Sequence, residues 1–122
     1  MPKKILLVDD SNTVLMMERM ILSAERYEIS TARNGREAVE RARSSRPDLI
    51  LLDVVMPELD GFGALSILRQ DASTRDIPVI MVTTRSEAAS METGYSRGCN
   101  DYVTKPVNSA ELLAKVRSLL GD

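Results

Sequence analysis

The sequence of 122 residues predicts a doubly wound α/β fold, in which a five-stranded parallel sheet lies between two layers of helices. Short apolar runs alternate with segments of helical periodicity along the whole chain. The segment over residues 48–53 is apolar without alternation, which is typical of a parallel strand buried on both faces. Each strand-and-helix unit takes about 20 to 25 residues, a suitable length for a crossover connection. We therefore expect one domain over residues 1–122.

The expected elements follow from apolar runs and helix-capping residues. Strands are predicted over residues 4–8, 27–32, 48–53, 78–82 and 101–104. Helices are predicted to begin after Ser11 or Asn12, after Asn34-Gly35, at Phe62, after Ser86 and after Asn108. The first helix is expected to turn four apolar residues inward, which are Val14, Met17, Ile21 and Leu22. Its methionines at 16, 17 and 20 are interpreted as core packing.

Composition and charge exclude several classes of protein. A net charge of −2 provides no general attraction for nucleic acid. The first apolar stretch, Ile5 to Val8, is too short for a signal peptide or a membrane span, so a cytoplasmic location is expected. The chain has no histidine, which excludes His-dependent zinc sites and catalytic triads. Its single cysteine, Cys99, cannot form an internal disulfide and is expected to be a small core residue.

Charged and hydroxyl residues follow the ends of the predicted strands. In chain order these residues are Asp9 and Asp10, Asp53, Thr83 and Thr84, and Lys105. Ligands of such sheets bind outside the carboxyl ends of the strands, so we expect these residues to share one site. The three carboxylates outweigh the single lysine, and a divalent cation would balance the excess charge. Oxygen donors with room left for water and phosphate favour magnesium.

Each of these residues also has a structural explanation. A strand-terminal aspartate can cap a helix, threonine is common in strands, and a lysine before proline can lie in a solvated loop. Asp53 differs, because a carboxylate that follows four aliphatic residues is costly to bury without a partner. The coincidence of all these residues at one sheet edge favours a functional site.

The same residues resemble the receiver domains of bacterial two-component response regulators over essentially the whole chain. The resemblance rests on Val8-Asp9-Asp10-Ser11, on residues 48–53 followed by Met56-Pro57 and Asp60-Gly61, on Val82-Thr83, and on Gly98 through Asp101-Tyr102 to Lys105-Pro106. It implies a flavodoxin-like three-layer sandwich with strand order 2-1-3-4-5. It also implies a phosphorylation-activated signalling switch.

The resemblance assigns the chemistry to particular residues. Asp53 would accept a phosphoryl group from the phosphohistidine of a sensor histidine kinase or phosphotransfer protein, in a reaction that needs Mg²⁺. Thr83 and Lys105 would bind phosphoryl oxygens. The metal would be held by Asp9, Asp10, Asp53 and the backbone carbonyl of Val55. Backbone N–H groups of Val55 and Thr84 would complete the phosphate site.

The resemblance also implies how the signal leaves the site. Thr83 and Tyr102 would form the switch, and Tyr102 would change rotamer when Thr83 moves towards the phosphoryl group. Val55 and Arg85 would modulate the phosphoryl lifetime. The output would be a protein target that binds the face of the fourth helix, fifth strand and fifth helix, without direct contact to nucleic acid or membrane.

Two other functions remain open at this point. One is a phosphorylation-independent binding module of the same fold, which loss of an acid or of the lysine would mark; here both are present. The other is a small phosphatase, although no long loop that could serve as a lid is visible. We expect a signalling protein that catalyses its own phosphorylation and dephosphorylation. A stand-alone chemotaxis- or motility-type regulator is favoured, because Met1 lies directly before the first strand.

Overall fold

The computed structural model describes residues 2–84 and 95–121. The strands are Lys4–Val8 (β1), Glu28–Ala32 (β2), Leu49–Asp53 (β3), Val79–Thr83 (β4) and Asp101–Thr104 (β5). The helices of the described residues are Asn12–Leu22 (α1), Gly35–Ser45 (α2), Gly61–Gln70 (α3) and Ser109–Leu120, here called the C-terminal helix. The helix predicted after Ser86 falls mainly on residues 85–94, outside the described residues. None of the described helices is long and apolar enough to cross a bilayer.

The five strands form one parallel sheet in the order β2-β1-β3-β4-β5, as predicted. The register places the last residues of neighbouring strands side by side. Val8 pairs with Leu52, Asp53 pairs with Val82, and the final pair of β4 and β5 is Thr83 with Thr104. The carboxyl ends of β1, β3, β4 and β5 therefore meet at one edge of the sheet.

The central strand β3 is buried along its whole length, and its alternating side chains enter two different cores. Ile50 and Leu52 pack in the cluster that contains residues of α2 and α3. Leu49 and Leu51 pack in the opposite cluster, with residues of α1 and the C-terminal helix. Burying each of these side chains contributes roughly 1.5–3 kcal/mol to stability. Both faces of the sheet are thus covered, which explains why this segment has no polar alternation.

Each described helix begins at a residue whose side-chain oxygen accepts a backbone N–H bond from three residues further on. These capping residues are Ser11, Asn34, Asp60 and Asn108. Such caps satisfy N–H groups that have no partner within the helix. Asp60 makes α3 begin at Gly61, one residue before the predicted start.

The inner face of α1 differs from the prediction. Leu15, Glu18 and Leu22 are buried, whereas the three methionines of the helix are exposed, namely Met16, Met17 and Met20. The predicted core packing of these methionines is therefore wrong. Apolar residues surround most of α1, so their periodicity does not determine which face turns inward, and an acid occupies the middle of the buried face. Cys99 is buried, as predicted.

Candidate functional site

Three carboxylates meet at the carboxyl edge of the sheet. Asp9 follows β1 and Asp10 follows Asp9, while Asp53 ends β3. Each offers one carboxylate oxygen, and these oxygens lie within 4.8 Å of one another. Asp9 and Asp53 are only 1% and 4% exposed, whereas Asp10 is exposed to solvent. The cluster is therefore anchored in the interior and open on one side.

Lys105 brings a positive charge to this cluster from the far end of the chain. Its Nζ lies 3.0 Å from Oδ2 of Asp9 and 3.1 Å from Oδ1 of Asp53. The backbone N–H of Lys105 donates to the carbonyl of Thr83 at 2.6 Å, which extends the β4–β5 pairing by one residue. This bond fixes where the lysine leaves the sheet, so the ammonium bridges the two buried acids.

A turn after β1 orients Asp9. Its Oδ1 accepts a hydrogen bond from the backbone N–H of Ser11 at 2.9 Å, and the Ser11 hydroxyl in turn accepts from Val14 at the start of α1. One oxygen of Asp9 thus faces the helix start, and the other faces Lys105. Asp9 is thus fixed by hydrogen bonds of the turn, whereas the next residue, Asp10, is exposed to solvent.

The Asp60-Gly61 pair positions the other end of the site. The N–H of Gly61 donates to the carbonyl of Val54 at 2.8 Å, directly after β3. A Cβ atom at Gly61 would lie 2.2 Å from the backbone oxygen of Asp53, a distance that no side chain tolerates. Glycine is therefore needed for α3 to approach the strand that carries Asp53.

The remaining residues of the predicted site lie around this edge. Thr83 is fully buried, follows the β4 partner of Asp53, and donates its hydroxyl hydrogen to the carbonyl of Thr84 at 3.2 Å. Val55 is 61% exposed beside the acids, and Thr84 is partly buried. Tyr102 lies within β5, the strand beside β4, where it pairs with Met81, two residues before Thr83. Arg85 lies outside the described residues.

Burial and neighbouring charges within the site change the pKa values of Asp53 and Lys105. Burial, followed by the negative charge of Asp9, raises the pKa of Asp53 to about 6, although Lys105 lowers it in part. Burial lowers the pKa of Lys105, but its hydrogen bonds to Asp9 and Asp53 outweigh that effect and raise the pKa overall. Asp53 is thus ionised near neutral pH, and Lys105 is protonated.

The donor set fits a hard divalent cation. Three carboxylates lie together, and a single ammonium pairs with two of them, Asp9 and Asp53, which leaves an excess of negative charge in a partly desolvated place. All three acids offer oxygen, and the open side at Asp10 leaves room for water or a phosphoryl oxygen. A small cation that prefers oxygen ligands would relieve the repulsion from Asp9 that adds to the effect of burial on the pKa of Asp53.

Sequence reasoning missed one acid near this site. Glu18 on α1 is 1% exposed, and its Oε1 has no hydrogen-bond partner among the described residues. It lines the same small cavity as Lys105. Burial, followed by the charge of Asp9, raises the pKa of Glu18 to about 8. Leu15, Glu18 and Leu22 share one helical face, but apolar residues lie around most of α1, so the sequence pattern does not single out this face as the buried one.

Two relatives are similar to this sequence over nearly its whole length. Protein PilH of Pseudomonas aeruginosa is 40% identical over 96% of this chain and 97% of its own length. The probable transcriptional regulator ycf27 of Cyanophora paradoxa is 43% identical over 97% of this chain, but over only 48% of its own length. The chain thus spans about half of that longer relative.

A solved structure shares the fold of this chain. The receiver domain of the sensor histidine kinase PA1611 from Pseudomonas aeruginosa PAO1 superposes with a TM-score of 0.90 and 30% identity, over the full length of both chains. That structure is described as having a magnesium ion coordinated in its active-site cleft. The family model of the response regulator receiver domain matches residues 5–117 of the present chain. The chain therefore belongs to the family of response regulator receiver domains.

Proposed function

We propose that this chain is a phosphorylation-activated switch of a two-component system, with Asp53 as the phosphoryl acceptor. The observation that carries the proposal is the buried arrangement of Asp53, Asp9 and Lys105 at the edge of the sheet. In the reaction, the phosphorus–nitrogen bond of a phosphohistidine breaks as an oxygen of Asp53 bonds to phosphorus. The histidine nitrogen leaves with the electron pair. A carboxylate nucleophile needs no general base, and the raised pKa of Asp53, about 6, still leaves it ionised at pH 7.

The metal ligands would be Asp9, Asp10, Asp53 and the backbone carbonyl of Val55. When bound, Mg²⁺ would neutralise the charge that develops on the transferred group. The two inner acids are already held in place by Ser11 and Lys105, so little rearrangement is needed. The exposed position of Asp10 suits a ligand that shares the ion with water.

The phosphoryl group would be bound by the Lys105 ammonium, the Thr83 hydroxyl and the backbone N–H groups of Val55 and Thr84. The Thr83 hydroxyl now donates to a backbone carbonyl and would have to rotate to reach a phosphoryl oxygen. This exchange of partners is the proposed first step of the switch, because it draws a buried side chain towards the new charge. Val55 and Arg85 would set how long the phosphoryl group lasts.

The switch would reach its target through Tyr102. Side chains alternate along a strand, so the pairing of Thr83 with Thr104 puts Thr83 and Tyr102 on the same face of the sheet. If Thr83 moves towards a phosphoryl group, the space that it leaves would therefore be available to the Tyr102 side chain. The partners would be a sensor histidine kinase or phosphotransfer protein and a downstream protein that binds the face around β5 and the C-terminal helix. The cell compartment would be the cytoplasm.

A phosphodonor assay tests the proposal. Incubation with a small acyl phosphate and Mg²⁺ should add one phosphoryl group, seen by intact mass, and omission of Mg²⁺ should abolish the adduct. Asp53→Asn should remain unlabelled, while the exposed control Asp76→Asn should label as the wild type does. A protein without any adduct would be a binding module only, and a protein that hydrolyses many equivalents would be a phosphatase. Equal labelling of wild type and Asp53→Asn would refute the acceptor.

A further inference from the structure

Lys115 reaches from the C-terminal helix back to β5. Its Nζ donates a hydrogen bond to the carbonyl oxygen of Tyr102 and lies 3.2 Å from Oδ1 of Asp101. The same ammonium lies 5.2 Å from the centroid of the Tyr102 ring, on the ring face. The Lys115 ammonium therefore contacts both the backbone and the ring of Tyr102, as well as the neighbouring Asp101.

The Tyr102 ring has a second contact, with another aromatic ring. Tyr95 meets it edge-on, with ring centroids 6.1 Å apart and ring planes at 78°. Backbone bonding also fixes the residue, since the N–H of Tyr102 donates to Oδ1 of Asp101 at 2.8 Å. Tyr102 also packs, partly buried, against the core cluster that contains residues of α2 and α3. The edge contact with Tyr95 and the cation on the ring face add to this packing in setting the place of the ring.

The ammonium is held independently of the ring. Besides the Tyr102 carbonyl and Asp101, Glu111 lies 3.8 Å away, one helical turn before Lys115. These oxygen partners belong to the backbone of β5, to an acid and to the C-terminal helix itself. These oxygen contacts do not depend on the ring, so the ammonium should keep its position if the Tyr102 ring changes rotamer. The ring would then lose its cation, so the contact favours the present rotamer over any other.

We propose that Lys115 is a positioning residue of the switch, whose ammonium holds the Tyr102 ring in its present place and so opposes the rotamer change that phosphorylation would trigger. The inference rests on the proposed role of Tyr102 and adds the group that sets its resting state. Loss of an exposed cation–π contact changes a two-state population by roughly two- to fivefold. The unphosphorylated variant should therefore place the ring near Thr83 more often than the wild type does.

Nuclear magnetic resonance of the full chain tests this without phosphorylation. In Lys115→Met, the Overhauser contact between the Tyr102 ring and the Thr83 methyl should indicate a population roughly two- to fivefold higher than in wild type. Lys115→Arg, which keeps a cation, should resemble the wild type. Arg117→Gln is the matched control, because Arg117 lies on the same helix but pairs with Glu25, so its loss should leave the ring unchanged.

The outcomes separate this inference from the proposed function. Unchanged Tyr102–Thr83 contacts in Lys115→Met would overturn the positioning role, even in a protein that accepts phosphate on Asp53. A shifted ring in a protein that cannot be phosphorylated would keep the positioning role and overturn the proposed function. If Lys115→Met does not fold, as judged by circular dichroism, Lys115→Gln provides the same test. A ring shift of equal size in Arg117→Gln would also overturn the inference, since it would indicate a general loosening of the helix.

Discussion

Lys105 and Asp53 form an ion pair of 3.1 Å at the sheet edge, with the lysine nitrogen also 3.0 Å from Asp9. The lysine and Asp9 are 96 positions apart in the sequence, so only the folded sheet brings them together. The pair is partly shielded from water, which makes its charge more effective than that of an exposed lysine. This relationship leads directly to the first prediction.

Lys105→Met should slow phosphorylation of Asp53 by about 10²- to 10³-fold, the usual effect of removing one group that stabilises developing charge. It should also raise the pKa of Asp53 further, because Lys105 now lowers it. Initial rates from intact mass with a saturating acyl phosphate measure the first effect. Lys3→Met, at an exposed lysine before β1, is the control. A rate within twofold of wild type would contradict the role of Lys105.

Mg²⁺ binding should weaken below pH 6. The proposed metal site uses ionised Asp53 as a ligand, and the pKa of Asp53 is raised to about 6 by burial and by Asp9. Below that value, protonation competes with the metal, so the apparent affinity should fall by about tenfold for each pH unit. Titration calorimetry between pH 5 and 8 measures this. In Asp53→Asn the same decrease should be absent; if it persists there, another group controls binding.

Glu18 should make the protein less stable as pH rises. Burial raises its folded pKa to about 8 from an ordinary 4.5, so between these values the folded state keeps a proton that the unfolded state has lost. Below pH 4.5 Glu18 is protonated in both states, so it no longer makes the free energy of unfolding depend on pH. Within the window the free energy of unfolding should fall by about 1.4 kcal/mol per pH unit from this residue alone.

Urea unfolding of Glu18→Gln without Mg²⁺ tests this. The variant should lose most of the decrease that wild type shows from pH 5 to 8, and it should be the more stable protein at pH 8. Glu28→Gln, at an exposed position on β2, should behave as wild type. Parallel stability curves for wild type and Glu18→Gln would show that Glu18 is ionised in the fold.

Gly61→Ala should destabilise the protein strongly. The new Cβ would meet the backbone oxygen of Asp53 at 2.2 Å, and backbone cannot move aside without shifting the acceptor. We expect a loss of about 1–3 kcal/mol in the free energy of unfolding, together with weaker Mg²⁺ binding. Gly63→Ala is the matched control, because its Cβ would come within 2.6 Å of the end of the flexible Leu59 side chain, which can move, and would meet Asp60 only at an ordinary contact distance of 3.4 Å. An equal loss in both variants would point to helix α3 rather than to the strand.

Much of this architecture could be predicted from sequence because the strong signals are local. The unbroken apolar run before Asp53 indicated a central parallel strand, and Asn108 indicated the start of the C-terminal helix. Once the strand ends were known, parallel pairing implied that Asp9, Asp53 and Lys105 would meet. These conclusions needed only the hydrophobic periodicity of each strand or helix and the fact that parallel strands end at the same edge of their sheet.

Other features depend on tertiary contacts that no local pattern contains. Glu18 looks like an ordinary surface acid of a helix, and its burial depends on how α1 rotates against the sheet. The exposed Met16 and Met20 follow from that same rotation. Likewise, the approach of Lys115 to Tyr102 depends on the packing of the C-terminal helix against β5. Charge and hydrophobicity along the chain do not specify such contacts.

The order of the strands has a consequence for how the protein is made. Its acids are synthesised early, but the ammonium that pairs with Asp9 and Asp53 follows β5, the edge strand beside β4. A nascent chain that has not yet added its last strand would hold Asp9 and Asp53 close together without a counter-charge. The proposed phosphoryl site, which includes Lys105, should therefore be completed only when β5 joins the sheet, and efficient phosphorylation should appear at that last step of folding.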